Sequence, residues 1–226
     1  METTAAYRAR SRREMISESY SGRRHAILNF LPMIVVAGIA LYRMDGFTPV
    51  VLLMIPLLLF LGNLVIYLVH RFPYHREELS KEAHAAHTIL HHGYYTDEHA
   101  TFDSHRDFFA ILLPSWVHYL VAIAVLLPLS WLLPAVMPNA YAQAIVFSGA
   151  LYLFLYEAVH LSAHLPKGHP LLRLPWLGYM RDFHVTHHDP KLMAEYNFGI
   201  VFPFWDWILG THYRGNGEPV SLASGG

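Results

Sequence analysis

The sequence predicts an all-α protein: an integral membrane four-helix bundle that carries a histidine-lined cap on one side. Two observations predict the bundle. Residues 46–70 and 108–156 contain no Asp, Glu, Lys or Arg, and a helix needs about 20 apolar residues to cross a bilayer. Hydrophobic residues make up 54% of the chain and charged residues only 15%. The cap is predicted by composition and placement together. Histidine occurs 17 times in 226 residues, and most of these imidazoles fall in four blocks just beyond the apolar runs.

Taken in order, residues 1–25 form a polar N-terminal flank with six arginines: Arg8, Arg10, Arg12, Arg13, Arg23 and Arg24. They read as a solvated, positively charged flank rather than a cleaved leader, because the apolar run begins late. Residues 26–214 read as a single domain, since neither repeat nor linker interrupts them. The first span is expected at 26–42, interrupted by Asn29 and Pro32. The second is expected at 47–69, the third within 108–133, and the fourth at 141–157 and a little beyond. Pro134, Pro138 and Asn139 mark the turn between the last two. The segment 200–209 is apolar and aromatic but too short to cross, and its tryptophans suit a membrane interface. The small, polar residues 215–226 read as a flexible tail.

Arginine and lysine are crowded into the N-terminal flank, residues 70–107 and the tail, while the 43–46 and 134–140 turns carry only Arg43. By the positive-inside rule the crowded segments face the cytoplasm. Segment 70–107 and the tail are two spans apart, so they emerge on one face. A formal net charge of −1 offers no global field for nucleic acid. The absence of cysteine excludes disulfides, thiolate-ligated haem and Cys-type iron–sulfur or zinc sites.

The four blocks are His70-x4-His75, His87-x3-His91-His92, His160-x3-His164 and His184-x2-His187-His188. Helical residues three or four apart share a face. His87 with His91, His160 with His164, and His184 with His188 are therefore each expected to chelate one ion, with His92 free to serve a second. His70 and His75 are five apart, and Pro73 between them implies a turn that brings both inward. Ten imidazoles suit two ions with four to six ligands each. In a chain without cysteine, iron, zinc, copper and nickel are the metals to consider.

Ligating imidazoles usually donate their other N–H to a carboxylate or carbonyl. Glu157, Asp182 and Asp189 are candidates for that role. His84 shares a face with His87, and Asn197 can hydrogen-bond a metal-bound water or a ligand ring. His118 lies inside the third span, where a histidine satisfied by a neighbouring helix is expected. His25, His99, His105, His169 and His212 read as solvated.

These blocks, with Tyr156-Glu157, Asn197-Phe198-Gly199 and Phe204-Trp205-Asp206-Trp207-Ile208-Leu209-Gly210-Thr211, resemble the membrane fatty acid hydroxylase and sterol desaturase superfamily. The arrangement is nearest to fatty acid 2-hydroxylases. The third block departs from their pattern, reading Tyr156-Glu157 and His164-Leu165. The resemblance implies a dinuclear centre of two iron ions, replaceable by zinc in purified protein, that oxidises a lipid C–H bond with dioxygen. A sterol- or carotenoid-type desaturase or hydroxylase is the alternative within the superfamily. A membrane metal transporter is the alternative outside it, and would need polar ligands at the bilayer midplane. Twenty-five polar N-terminal residues are too few for a fused cytochrome domain. Electrons are therefore expected from a separate ferredoxin or b-type cytochrome with its reductase. A bacterial inner membrane is the expected location, with the endoplasmic reticulum as the alternative.

Overall fold

The computed structural model describes residues 2–215, and among them every regular element is helical. Helix α1 is Thr4–Met15, α2 is Gly22–Arg43 and α3 is Pro49–Val69. A single π-helical turn, His70–Tyr74, extends α3. Residues 81–94 form α4, which is π-helical at Ala85–His91 and α-helical on either side. Helix α5 covers Ser115–Ala135, α6 Asn139–Ala163, α7 Pro175–His187 and α8 Phe204–Leu209. Beyond Gly215, the tail anticipated from the sequence lies outside the described residues.

Four helices are long and apolar enough to cross a membrane: α2, α3 with its extension, α5 and α6. Exposure supports that reading. On α3, Leu53, Leu57, Leu61 and Val65 recur every four residues and all stand exposed. Such a stripe matches lipid and would be costly in water. The chain is an integral membrane protein. The third span, expected within 108–133, starts at Ser115 and runs to Ala135; Pro114 disfavours helix in the residue before it. Residues His105–Ala110 make a 3₁₀ turn instead.

Two compact units divide the chain. One comprises Met1–Tyr20, Asn63–Ile111 and Val159–Gly226; the other comprises Ser21–Gly62 and Leu112–Ala158. Neither is a continuous stretch, so composition along the chain marks no boundary between them.

The second unit is mostly apolar. Met33, Val36 and Ala40 of α2 pack with Ala122 and Leu126 of α5 and Val146 and Ala150 of α6. Small residues let the helices approach closely, which is how helices gain contact where lipid competes for apolar surface. Several of its buried polar groups are paired, while Ser148 Oγ is buried without a hydrogen-bond partner. Ser130 Oγ donates to Gln143 Oε1 at 2.8 Å, and Gln143 Nε2 donates to the Ser130 carbonyl at 2.9 Å. Glu157 accepts from Asn29 Nδ2 and the Leu113 N–H, both at 3.1 Å, and lies 3.3 Å from His118 Nε2. His118 thus meets the side chain of a neighbouring helix. His25, expected to be solvated, instead contacts the Leu113 carbonyl through Nε2 at 2.9 Å.

The first unit holds the histidine blocks and α1. The N-terminal arginines were expected to be solvated, and two of them are not. Arg8 is 6% exposed, and Arg12 makes two bonds to Asp107, from Nε at 2.7 Å and from Nη2 at 2.8 Å. The physical reason is Asp107, a fully buried carboxylate that requires donors. Tyr94 Oη and the Asp103 N–H supply two more, at 2.6 and 2.8 Å. Tyr7 packs over Gly93, where a Cβ would meet its ring at 2.9 Å.

Two outcomes are expected. Burial alone would raise the Asp107 carboxyl, but bonds from Arg12, Tyr94 and the Asp103 amide hold it at about 2, below its ordinary 3.8. A depressed carboxyl stabilises fully above its unfolded value and loses that contribution as pH falls through its folded one. The protection of α1 amides, relative to their intrinsic exchange rate at each pH, should therefore fall between pH 4 and 2, and Asp107→Asn should remove that fall. Separately, Leu57→Arg places a charge in the middle of α3, at a cost of about 3 kcal/mol to insertion. A glycosylation-reporter insertion assay should show a clear loss of spanning α3.

Candidate metal centre

Among the described residues three segments are π-helical; Val121–Leu126 lies within α5, and the other two account for the first half of the site. In an α-helix, residues five apart point about 140° away from each other. A π-turn holds more residues and swings position i+5 back onto the face of position i. His70 and His75 flank one such turn, and their ring centroids lie 5.2 Å apart. His87 and His92 bracket the end of the other, and theirs lie 4.8 Å apart. This corrects the pairing expected from an α-helical spacing: His87 goes with His92, and His91 joins a different set.

The imidazoles fall into two groups. His70, His75, His87, His92 and His187 form one; His91, His164, His184 and His188 form the other. Within each group the ligand nitrogens lie within 4.8 Å of one another. All of these rings are buried except His75, which is partly exposed. The tenth ring, His160, belongs to neither group but places Nε2 3.2 Å from His91 Nε2. His184 on α7 and His188, which caps it, enter one group while His187, one position short of a full turn, enters the other.

Hydrogen bonds fix which nitrogen carries the proton. His70 Nδ1 meets the Phe198 carbonyl at 2.7 Å, His91 Nδ1 that of Ala110 at 2.6 Å, and His164 Nδ1 that of Ala100 at 2.7 Å. His187 Nδ1 meets the Tyr196 carbonyl at 2.7 Å, and His188 Nδ1 that of Tyr95 at 2.6 Å. A carbonyl only accepts, so each of these Nδ1 atoms donates and each Nε2 of a neutral ring is a bare lone pair. His75 follows the same logic. Thr88 Oγ1 gives its proton to the Tyr74 carbonyl and so accepts from His75 Nδ1.

The rings are also neutral. Burial pushes His75 down to about 2, His91 to about 4 and His187 to about 3. Burial likewise pushes His87, His92, His164, His184 and His188 well below the ordinary value. Neutral imidazole is the form that binds metal.

Bare nitrogens then face one another where both tautomers are fixed: the Nε2 atoms of His75 and His187 are 3.1 Å apart. The bare Nε2 atoms of His70 and His164 face Nε2 of His87 and of His184 at 2.9 and 3.2 Å. Two lone pairs at that distance repel unless a cation lies between the rings. Ligands at right angles around an ion, each about 2.1 Å from it, stand about 3.0 Å apart. The donor set therefore fits metal ions, and an all-nitrogen set suits iron, zinc, copper or nickel. Two buried ring nitrogens, Nδ1 of His92 and Nδ1 of His184, have no hydrogen-bond partner.

The remaining candidates have other duties. Asp182 is 80% exposed at its side chain and pairs with Arg181, and Asp189 accepts from the Lys191 N–H at 2.8 Å. Glu157 is engaged by Asn29 and Leu113. The ring N–H groups instead find carbonyls, which no residue type announces in a sequence. His84 is partly exposed on α4. Asn197 sits in the left-handed region with φ 58°. Its Nδ2 donates to the Phe183 carbonyl at 3.0 Å, and its Oδ1 accepts from the Tyr213 N–H at 2.9 Å. It thus ties down the turn that carries the Tyr196 and Phe198 carbonyls. His212, expected to be solvated, contacts Tyr179 Oη at 3.0 Å.

Residues 55–211 match the family model for fatty acid hydroxylase. The chain is 29% identical over 199 residues to the ceramide very long chain fatty acid hydroxylase SCS7 of Saccharomyces cerevisiae, covering 85% of this chain and 46% of that protein. It is 27% identical over 154 residues to a fatty acid 2-hydroxylase of Macaca fascicularis, covering 68% of this chain and 37% of that protein. It therefore spans less than half the length of these relatives. Among solved structures it resembles full-length scs7p, of which only the hydroxylase domain is visible. That match has a TM-score of 0.57 and 25% identity, covering 87% of this chain and 68% of the other.

Gly199 tests how tightly the carbonyl framework is built. A Cβ there would stand 2.5 Å from the Phe202 carbonyl oxygen and 2.7 Å from Asp206 Oδ2. Gly199→Ala is expected to displace the Phe198 carbonyl and lower the metal retained per chain, as read by elemental analysis. Gly38, with nothing within 4 Å of its Cβ position, should tolerate the same change.

Proposed function

The chain belongs to the fatty acid hydroxylase family, and from that membership we propose that it is a di-iron, dioxygen-dependent enzyme hydroxylating a fatty acyl C–H bond of a membrane lipid. The observation that carries the reading is the pair of buried imidazole groups whose bare Nε2 atoms converge. Such a bond has no proton acidic enough for side chains to remove, so a redox cofactor must do the chemistry. Two iron ions would supply it, in the overall reaction R–H + O₂ + 2 e⁻ + 2 H⁺ → R–OH + H₂O. Zinc has no redox chemistry and would be an inert substitute.

The protein's part is to hold and orient. His70, His75, His87, His92 and His187 are proposed to hold one ion, and His91, His164, His184 and His188 the other. His160 stands beside His91 as a further ligand. Backbone carbonyls and Thr88 fix the tautomers of His70, His75, His91, His164, His187 and His188, so those lone pairs are presented without reorganisation. Burial keeps the rings neutral and keeps bulk water from the centre. His84 and Asn197 act from behind the ligands, His84 beside His75 and Asn197 through its turn.

The two electrons come from a separate carrier, a ferredoxin or a b-type cytochrome with its reductase. Arginine-rich segments around the histidine blocks support a cytoplasmic position for the site, within reach of such a carrier. Names of the relatives support a long acyl chain as substrate.

The test is lipid mass spectrometry of cells expressing the chain under ¹⁸O₂. A lipid heavier by about 16 Da with unlabelled oxygen, and by about 18 Da with the heavy isotope, is expected. A product lighter by about 2 Da would make it a desaturase. His164→Ala and His184→Ala should each lower product formation by 100-fold or more. Full activity in both variants would overturn the ligand assignment.

A further inference from the structure

Two buried carboxylates stand behind the imidazole groups, one behind each. Asp206 of α8 is fully buried. Its Oδ1 accepts from the Phe198 N–H and from Thr211 Oγ1, and its Oδ2 from the Gly199 N–H, all at 2.8 Å. The Thr211 carbonyl in turn accepts from the Asn197 N–H at 2.8 Å. The turn so fastened carries Phe198, whose carbonyl orients His70, and follows Tyr196, whose carbonyl orients His187. Burial pushes the Asp206 carboxyl up to about 7, yet each of these partners is a donor, which favours the ionised form.

Asp107 holds the other framework. Besides the bonds from Arg12, Tyr94 and Asp103, its own carbonyl accepts from Tyr95 Oη at 3.2 Å. The segment it closes, residues 94–110, carries the carbonyls of Tyr95, Ala100 and Ala110. Those three orient His188, His164 and His91. No acceptor of one group is fastened by the carboxylate of the other.

We infer that Asp206 and Asp107 are positioning residues, each setting the ring orientation of one imidazole group and thereby the metal affinity of that site alone. The inference rests on the two-ion reading above. Asn at either position keeps the shape but turns one acceptor towards a donor. The fastened backbone then relaxes, and its carbonyls no longer aim the rings. Losing such outer support typically costs 10–100-fold in metal affinity.

The experiment uses the full chain in detergent, loaded with cobalt(II) and challenged with a chelator, with metal per chain and cobalt absorption followed over time. Wild type is expected to hold two ions. Asp206→Asn should release one ion at least tenfold faster and keep the other at the wild-type rate, and Asp107→Asn should do the same. Histidine backgrounds identify which ion is lost. Asp206→Asn combined with His187→Ala should keep one ion through the challenge, and combined with His164→Ala should keep none. Asp107→Asn should give the reverse. Wild type that binds no pair of ions overturns the two-ion reading itself. Wild type with two ions, and variants that lose both alike, neither, or the wrong one, overturns the positioning roles. If an Asn variant is not helical and monodisperse, Thr211→Val and Arg12→Lys each weaken the bonding of the same carboxylates and are scored by the same outcomes.

Discussion

Nine imidazoles, all but His75 buried, have their ligand nitrogens turned towards one another, and the rest of the first unit is arranged to tolerate that. A buried ring has two polar nitrogens, and each needs a partner. For the rings whose tautomer is fixed, one nitrogen is served by a carbonyl or by Thr88, and the other is left bare on the inside. Bare nitrogens packed about 3 Å apart are tolerable only around positive charge. The fold has therefore arranged its own stability around ions it must acquire, and metal binding and the order of this unit are linked.

That constraint explains several features of the backbone. Two π-turns appear where histidines lie five apart, because an α-helix would point one ring of each pair outwards. A left-handed Asn197 and a glycine with no room for a side chain appear in the turn behind His70 and His187. Helix α1 is fastened by Arg8 and Arg12 to the buried Asp107. A polar N-terminal segment thereby becomes part of the structure that holds His91, His164 and His188 in place.

The second unit answers a different solvent. Its helices meet through alanine and other apolar side chains, and two sets of its polar residues pair among themselves. Glu157, Asn29, His118 and the Leu113 amide form one such set, and Ser130 with Gln143 another. Each removes polar groups from contact with hydrocarbon, where they would be costly. Glu157 belongs to this set, although its place three residues before His160 made it a natural candidate for orienting that ring.

The sequence by itself determined the four apolar helices, the all-α class and the four histidine blocks, because charge-free runs and recurrent imidazoles are properties of residue type and spacing. It also carried the family motifs. It did not determine which rings gather into which group. A spacing of five reads as unproductive until a π-turn is seen, and the choice between α and π depends on packing. Nor did it reveal what orients the rings, for the acceptors are main-chain carbonyls common to every residue. Only the tertiary structure decided these, because a ring's direction is set by groups up to 128 positions away in the chain.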